Sequence, residues 1–287
     1  MGAPPAADEG RHAPAADAPG WEESWDFTFH TGGGDLGGYL RVGLRPAAGT
    51  AWCWAALVGG QRPLLSVVDL DVAPPRGQGL DLRAEGLWAM AECETPMQHW
   101  SVGLEAFGVA LDDPAEAWRS GWGERSALGF DLEWETNEAP RALGADGEGY
   151  HVPCEVHGEV LVADAIMPVA GWGARTHAWG DRSWWDRPWC ATSGRFDDGT
   201  TWYAHREELG VDGGPGCLPG RDTVELESGL ELVVRPLHHA PVRLDADGRT
   251  SQLARALCLA TAGDGRTGVG WTEWNRPLGR PGSVSRS

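Results

Sequence analysis

The chain contains no lysine; all 23 of its basic residues are arginine. That absence removes Schiff-base chemistry and any lysine general base, and it excludes a P-loop, which needs its lysine. Positive charge is scarce altogether. Against 42 Asp and Glu the formal net charge is −19, so no nucleic-acid partner and no anionic membrane surface is expected, because both need clustered basic residues. No apolar stretch of about 18 residues and no apolar N-terminal leader occurs. A cytoplasmic chain without a membrane span is the expectation.

Cysteine pairs of the Cys-x-x-Cys type are also missing. The six Cys, at 53, 93, 154, 190, 217 and 258, read as reduced, mostly buried thiols. His238 and His239 are adjacent, so on a strand they point apart and cannot share an ion. Neither His-Glu-x-x-His nor Cys₂His₂ spacing is present. No metal is expected, and only a site assembled from distant residues would escape this reading. The run Gly32–Gly38 lacks the parallel strand and helix of a dinucleotide site and reads as a loop. No Gly-x-Ser-x-Gly elbow marks a hydrolase.

What is abundant is tryptophan and turn chemistry. Seventeen Trp stand beside five Phe and three Tyr. Short alternating runs such as Tyr39–Leu44, Ala51–Val58 and Gly129–Glu135 read as strands; in the last, Phe130, Leu132 and Trp134 face inward and Asp131, Glu133 and Glu135 face water. Asp-Gly pairs begin at 146, 198, 212, 247 and 264, the favoured two-residue hairpin turn. One short helix is predicted over 112–118, with an Asp N-cap and a Pro in its first turn. The pattern predicts an all-β protein of antiparallel, nearly closed sheets. Residues 1–20, rich in Ala, Pro and charge, read as a disordered tail. The polar, turn-rich stretch 136–149 reads as a boundary, giving modules over 21–140 and 150–280.

The chemistry concentrates in Gly171–Tyr203. If Ala174–Trp179 is extended, Arg175, His177 and Trp179 share one face. Tyr203 and His205 share a face of Thr201–Glu207. Pairing of these two stretches would gather His177, Tyr203 and His205 in one pocket, where they could move a proton near neutral pH. A Trp-lined pocket would hold an apolar substrate and stabilise developing positive charge through its π faces.

GWGARTHAWGDRSWW resembles the Gly-x-Gly-x-Arg-Asp-His-Ser-Trp-Gly signature of the carotenoid 1,2-hydratase (hydroxyneurosporene synthase, CrtC-type) and AttH-like superfamily. Gly268–Trp274 and the stretch 93–114 resemble an actinobacterial branch of unassigned function. The likeness runs from about Trp21 to Pro277. It implies two lipocalin-like β modules packed together, an apolar pocket and no organic cofactor. It further implies protonation of an isoprenoid alkene followed by hydration or cyclisation; fungal relatives of this architecture act as Diels–Alderases on polyenes, and a non-catalytic carrier of apolar ligands is the third reading. The resemblance carries catalytic roles onto His177, Tyr203 and His205. It places Trp179 against a small apolar substrate; Arg175, Trp88, His99, Trp100, Trp271 and Glu273 are the further substrate contacts expected, with a homodimer as the expected assembly. The chain departs from the signature at Thr176 and Ala178, which replace its Asp and Ser, and at His205, where an acid is expected.

Overall fold

The computed structural model describes residues 6–14, 18–143, 148–181, 184–210 and 214–279. The first sheet holds β1 (Trp21–Thr31), β2 (Leu36–Arg45), β3 (Thr50–Gly59), β4 (Leu64–Val72), β5 (Leu80–Ala84), β6 (Leu87–Thr95), β7 (His99–Leu111), β8 (Glu124–Glu135), β9 (Arg141–Ala142), β10 (Gly149–Val162) and β11 (Ala165–Asp181). The second holds β12 (Trp189–Phe196), β13 (Thr201–Arg206), β14 (Asp222–Glu225), β15 (Glu231–His239), β16 (Val242–Ala246), β17 (Arg249–Ala262) and β18 (Thr267–Gly279).

Every pairing is antiparallel and both sheets curl, as the alternating runs predict. In the first sheet the neighbours run β4-β3-β2-β1-β11-β10-β8-β7, and Leu64–Ser66 of β4 pairs again with Val109–Leu111 of β7, closing a barrel. The second sheet has the order β13-β12-β18-β17-β15-β14, with β16 beside β17. Asp247 and Gly248 link β16 to β17 with φ of 57° and 67°, the left-handed pair a type I′ turn requires. The Asp-Gly pairs at 198 and 264 lie in the β12–β13 and β17–β18 connections; those at 146 and 212 lie outside the described residues. The helix expected over 112–118 is one 3₁₀ turn, Pro114–Trp118, capped by the Asp113 carboxylate, which accepts from the Ala115 N–H at 3.0 Å. Among the described residues no helix is long and apolar enough to cross a membrane.

The chain passes from one sheet to the other after Asp181, not at 136–149. The strands β10 and β11 pair with β8 and β1 and complete the barrel wall, so the turn-rich stretch is a connection within the first sheet. Residues 6–14 are likewise packed rather than tail-like. Glu9 is buried, and the Arg11 guanidinium donates to the carbonyls of Gly77 and Gly79.

Side-chain alternation sorts the core into layers. Trp25, Phe27 and Phe29 of β1 point into the barrel with Leu40, Leu57, Leu132 and Trp134. The opposite faces of β2 and β3 do not meet water: Tyr39, Trp52 and Trp54 pack with Leu257 and Trp271 of the second sheet. Thus β1 is buried on both sides over Trp21–His30, and its polar positions Ser24, Asp26, Thr28 and His30 are enclosed. At Gly173 the Thr28 carbonyl oxygen lies 1.9 Å from where a Cβ would stand, which explains a glycine in this stretch of β11.

Candidate functional site

Cross-strand registers align three rows of side chains. In the first sheet, Arg41 faces Asp26, Asp26 faces Thr176, and Thr176 faces His151. In the second, His205 faces Ala191, Ala191 faces Glu273, and Glu273 faces Arg255; the next row is Tyr203, Ser193, Trp271 and Leu257. These faces enclose a cavity of about 510 Å³, within the range of small-molecule sites. Trp184 and Trp189 complete its walls.

The floor is an ion-pair network. Arg255 donates to both oxygens of Asp26 at 3.0 Å and lies 2.7 Å from the Glu273 carboxylate. Its guanidinium sits 3.8 Å above the Tyr39 ring. Burial opposes its charge, but the Asp26 and Glu273 carboxylates outweigh that and raise its pKa above the usual arginine value. Beside it, Arg41 donates to Glu22 at 2.8 Å and lies 3.9 Å from Asp26. Glu22 also accepts from the Trp184 indole at 2.8 Å. Three carboxyl groups, of Asp26, Glu22 and Glu273, therefore meet the guanidiniums of Arg255 and Arg41.

At the other end the His151 ring stands 4.9 Å from the Tyr203 ring, and its Nδ1 is 3.0 Å from the Thr176 hydroxyl. Burial, with the charges of Arg141 and Arg175, lowers the His151 pKa to about 3, so the ring is neutral at ordinary pH. The Trp189 and His205 rings are 6.1 Å apart.

The expected trio is divided. Tyr203, His205, Trp271 and Glu273 line the cavity. Arg175, His177 and Trp179 point the other way, into the barrel, because odd and even positions of β11 face opposite compartments. There the Glu9 carboxylate accepts from Arg175 at 2.8 and 3.0 Å, from the Trp100 indole at 3.2 Å, from the Met97 N–H at 2.5 Å, and from the Tyr150 hydroxyl. His177 Nε2 lies 2.9 Å from Glu23 Oε1, and burial lowers its pKa against the pull of that carboxylate. His12, Glu23 and His177 form a group with metal-ligand composition among the described residues. Trp88 and His99 line neither compartment; they bond to the carboxylates of Asp81 (3.1 Å) and Glu133 (2.6 Å).

Sequence reading missed Asp26, Arg41, His151 and Arg255. Asp26, Arg41 and His151 occupy the polar phase of alternating strands, which reads as solvent-facing until a second sheet covers it, whereas Arg255 stands in the apolar row of Leu253, Leu257 and Leu259 on β17, which reads as core.

The solved structures this chain is similar to share its fold. An AttH-type protein from Nitrosomonas europaea matches at TM-score 0.55 and 14% identity, over 93% of this chain and 94% of that one. Kievitone hydratase from Nectria haematococca matches at 0.56 and 9%, over 92% and 90%. CghA solved with Sch210972 matches at 0.52 and 8%, over 91% and 89%. No curated protein matches the chain. The family model described as domain of unknown function DUF7064 matches residues 5–214, which span the whole barrel and the first strands of the second sheet, and the chain belongs to that family.

Proposed function

We propose that the chain is an enzyme that, without an organic cofactor, protonates an unsaturated bond of an apolar isoprenoid or polyene substrate held between the two sheets, leading to hydration or cyclisation. The observation that carries this reading is the meeting of Tyr203, His205, His151 and Glu273 in one cavity walled by Trp184, Trp189 and Trp271. Proton transfer to carbon creates positive charge. Indole faces and the carboxyl groups of the floor both favour that charge over the neutral ground state. In this reading Tyr203 and His205 are the proton-transfer groups, and Arg255, clamped by Asp26 and Glu273, holds the floor rigid. His177 lies on the barrel side against Glu23 and does not touch substrate. A fold shared with a protein named as a hydratase supports hydration among the outcomes, as does the CrtC-type resemblance of the β11 motif.

The test is incubation in heavy water with apolar extract of the native host, followed by mass spectrometry. A product that forms only with protein and carries one carbon-bound deuterium is expected. Product without label would instead indicate a pericyclic reaction, and a bound compound recovered unchanged would indicate a carrier; either result overturns the proposal.

A further inference from the structure

Beyond the cavity, one cluster holds groups that the proposed reaction does not use. Glu23, on β1, is a buried carboxylate whose ion-pair partners are two imidazoles, His12 and His177. Its Oε1 lies 2.8 Å from His12 Nδ1 and 2.9 Å from His177 Nε2, and the three candidate ligand atoms lie within 4.8 Å of one another. The side chains of Glu23 and His177 are each 1% exposed and that of His12 is 23% exposed. The same carboxylate oxygen also accepts from the His12 backbone N–H at 2.9 Å, which fixes the N-terminal segment against β1.

We propose that His12, Glu23 and His177 bind a divalent transition-metal ion of the zinc type. The donor set, two imidazole nitrogens and one carboxylate, is one that zinc takes with a fourth position left open. Two ligands on a tetrahedral ion at zinc distances are about 3.3 Å apart, so the two carboxylate–imidazole distances of 2.8 and 2.9 Å need to widen by only a few tenths of an ångström, and the two imidazole nitrogens already lie within 4.8 Å of each other.

The second nitrogen of His177 meets a hydroxyl, as the outer nitrogen of a metal-bound histidine does, and that of His12 faces a carboxylate beyond hydrogen-bond distance. His12 Nε2 is 3.8 Å from the Asp8 carboxylate, and His177 Nδ1 is 3.4 Å from the Tyr150 hydroxyl. Both rings are fixed by stacking. His12 lies on Trp179 at 3.6 Å and 13°, and His177 on Trp25 at 4.3 Å and 19°. Because His12 belongs to the N-terminal segment while Glu23 and His177 belong to the barrel wall, the ion clasps that segment over the barrel.

The experiment titrates zinc into the full chain, stripped with a chelator, against a chromogenic zinc indicator. Wild type is expected to bind one equivalent. His12→Ala, whose change lies outside both sheets and leaves the far-ultraviolet circular dichroism unchanged, is expected to bind at least tenfold more weakly. Zinc should slow protease cleavage before residue 20 in wild type and not in His12→Ala. Cys217→Ser, which removes the exposed thiol, should titrate like wild type. No stoichiometric binding to wild type, or equal affinity in wild type and His12→Ala, would overturn the assignment.

Discussion

Thr176 and His177 are neighbours in β11 and stand on opposite sides of one wall: Thr176 lines the cavity between the sheets, and His177 lies inside the barrel against Glu23. Two of the positions at which the chain departs from the hydratase signature, Thr176 in place of Asp and His205 in place of an acid, thus face the cavity. The Thr176 hydroxyl meets His151 at 3.0 Å. A hydroxyl–imidazole pair stands where the signature has a carboxylate, and in the proposed mechanism Tyr203 and His205 move the proton.

That division sets an order of effects on turnover. His205→Ala and Tyr203→Phe are expected to lower deuterium incorporation, the larger loss being at least about 10²-fold, the low end for general acid–base catalysis. Thr176→Val should cost less, since it disturbs a hydrogen bond to His151 without removing a proton-transfer group. Rates of labelled product formation check the ranking, and equal rates in all three variants would contradict it.

Arg255→Leu is expected to destabilise the fold by about 3–5 kcal/mol, the cost of breaking a buried pair from one side, because Asp26 and Glu273 lose their shared cation. Adding Asp26→Leu should recover part of the loss, as coupled sites are not additive. Denaturant midpoints of the two single variants and the double variant measure this coupling.

Stability should fall on mild acidification. Burial lowers the pKa of His30 and His239 to about 4 and that of His151 to about 3, below the unfolded value of about 6.5. Between these values the unfolded chain binds protons that the folded chain refuses, so stability is full above about pH 6.5 and declines towards pH 4. Each imidazole contributes a slope of up to about 1.4 kcal/mol per pH unit. Urea midpoints at pH 7 and pH 5 check it, and His151→Asn should flatten the dependence by one imidazole's share.

Glu9→Gln should loosen the N-terminal segment. The Arg175 guanidinium would lose the carboxylate it grips and become an unpaired buried charge. Faster protease cleavage before residue 20 and a lower melting temperature are the expected outcomes.

The strands were legible because Phe130, Leu132 and Trp134 alternate with charge, and the hairpin at Asp247-Gly248 because its residues accept positive φ. Half of the cavity was legible too, through Tyr203, His205, Trp271 and Glu273. Its facing half was not. In WEESWDFTFHT the polar phase looks like a water-facing side, and only the second sheet, whose residues are far along the chain, turns Asp26 into the partner of Arg255. The tail was misread for the same reason: Glu9 gains its meaning from Arg175, 166 residues away. The sheet change was misplaced because turn-rich composition marks a long connection equally well within a sheet and between sheets.

The central claim is that ligand sits between the sheets rather than inside the barrel. Its most direct test is the amount of apolar compound, measured by mass spectrometry, that co-purifies per chain from the native host. Ala191, at the middle of the row from His205 to Glu273, faces empty space, so Ala191→Trp fills the cavity, whereas Phe27→Leu alters only the barrel interior. Loss of the compound from Ala191→Trp with retention by wild type and Phe27→Leu is predicted; equal retention by Ala191→Trp and wild type would contradict the account.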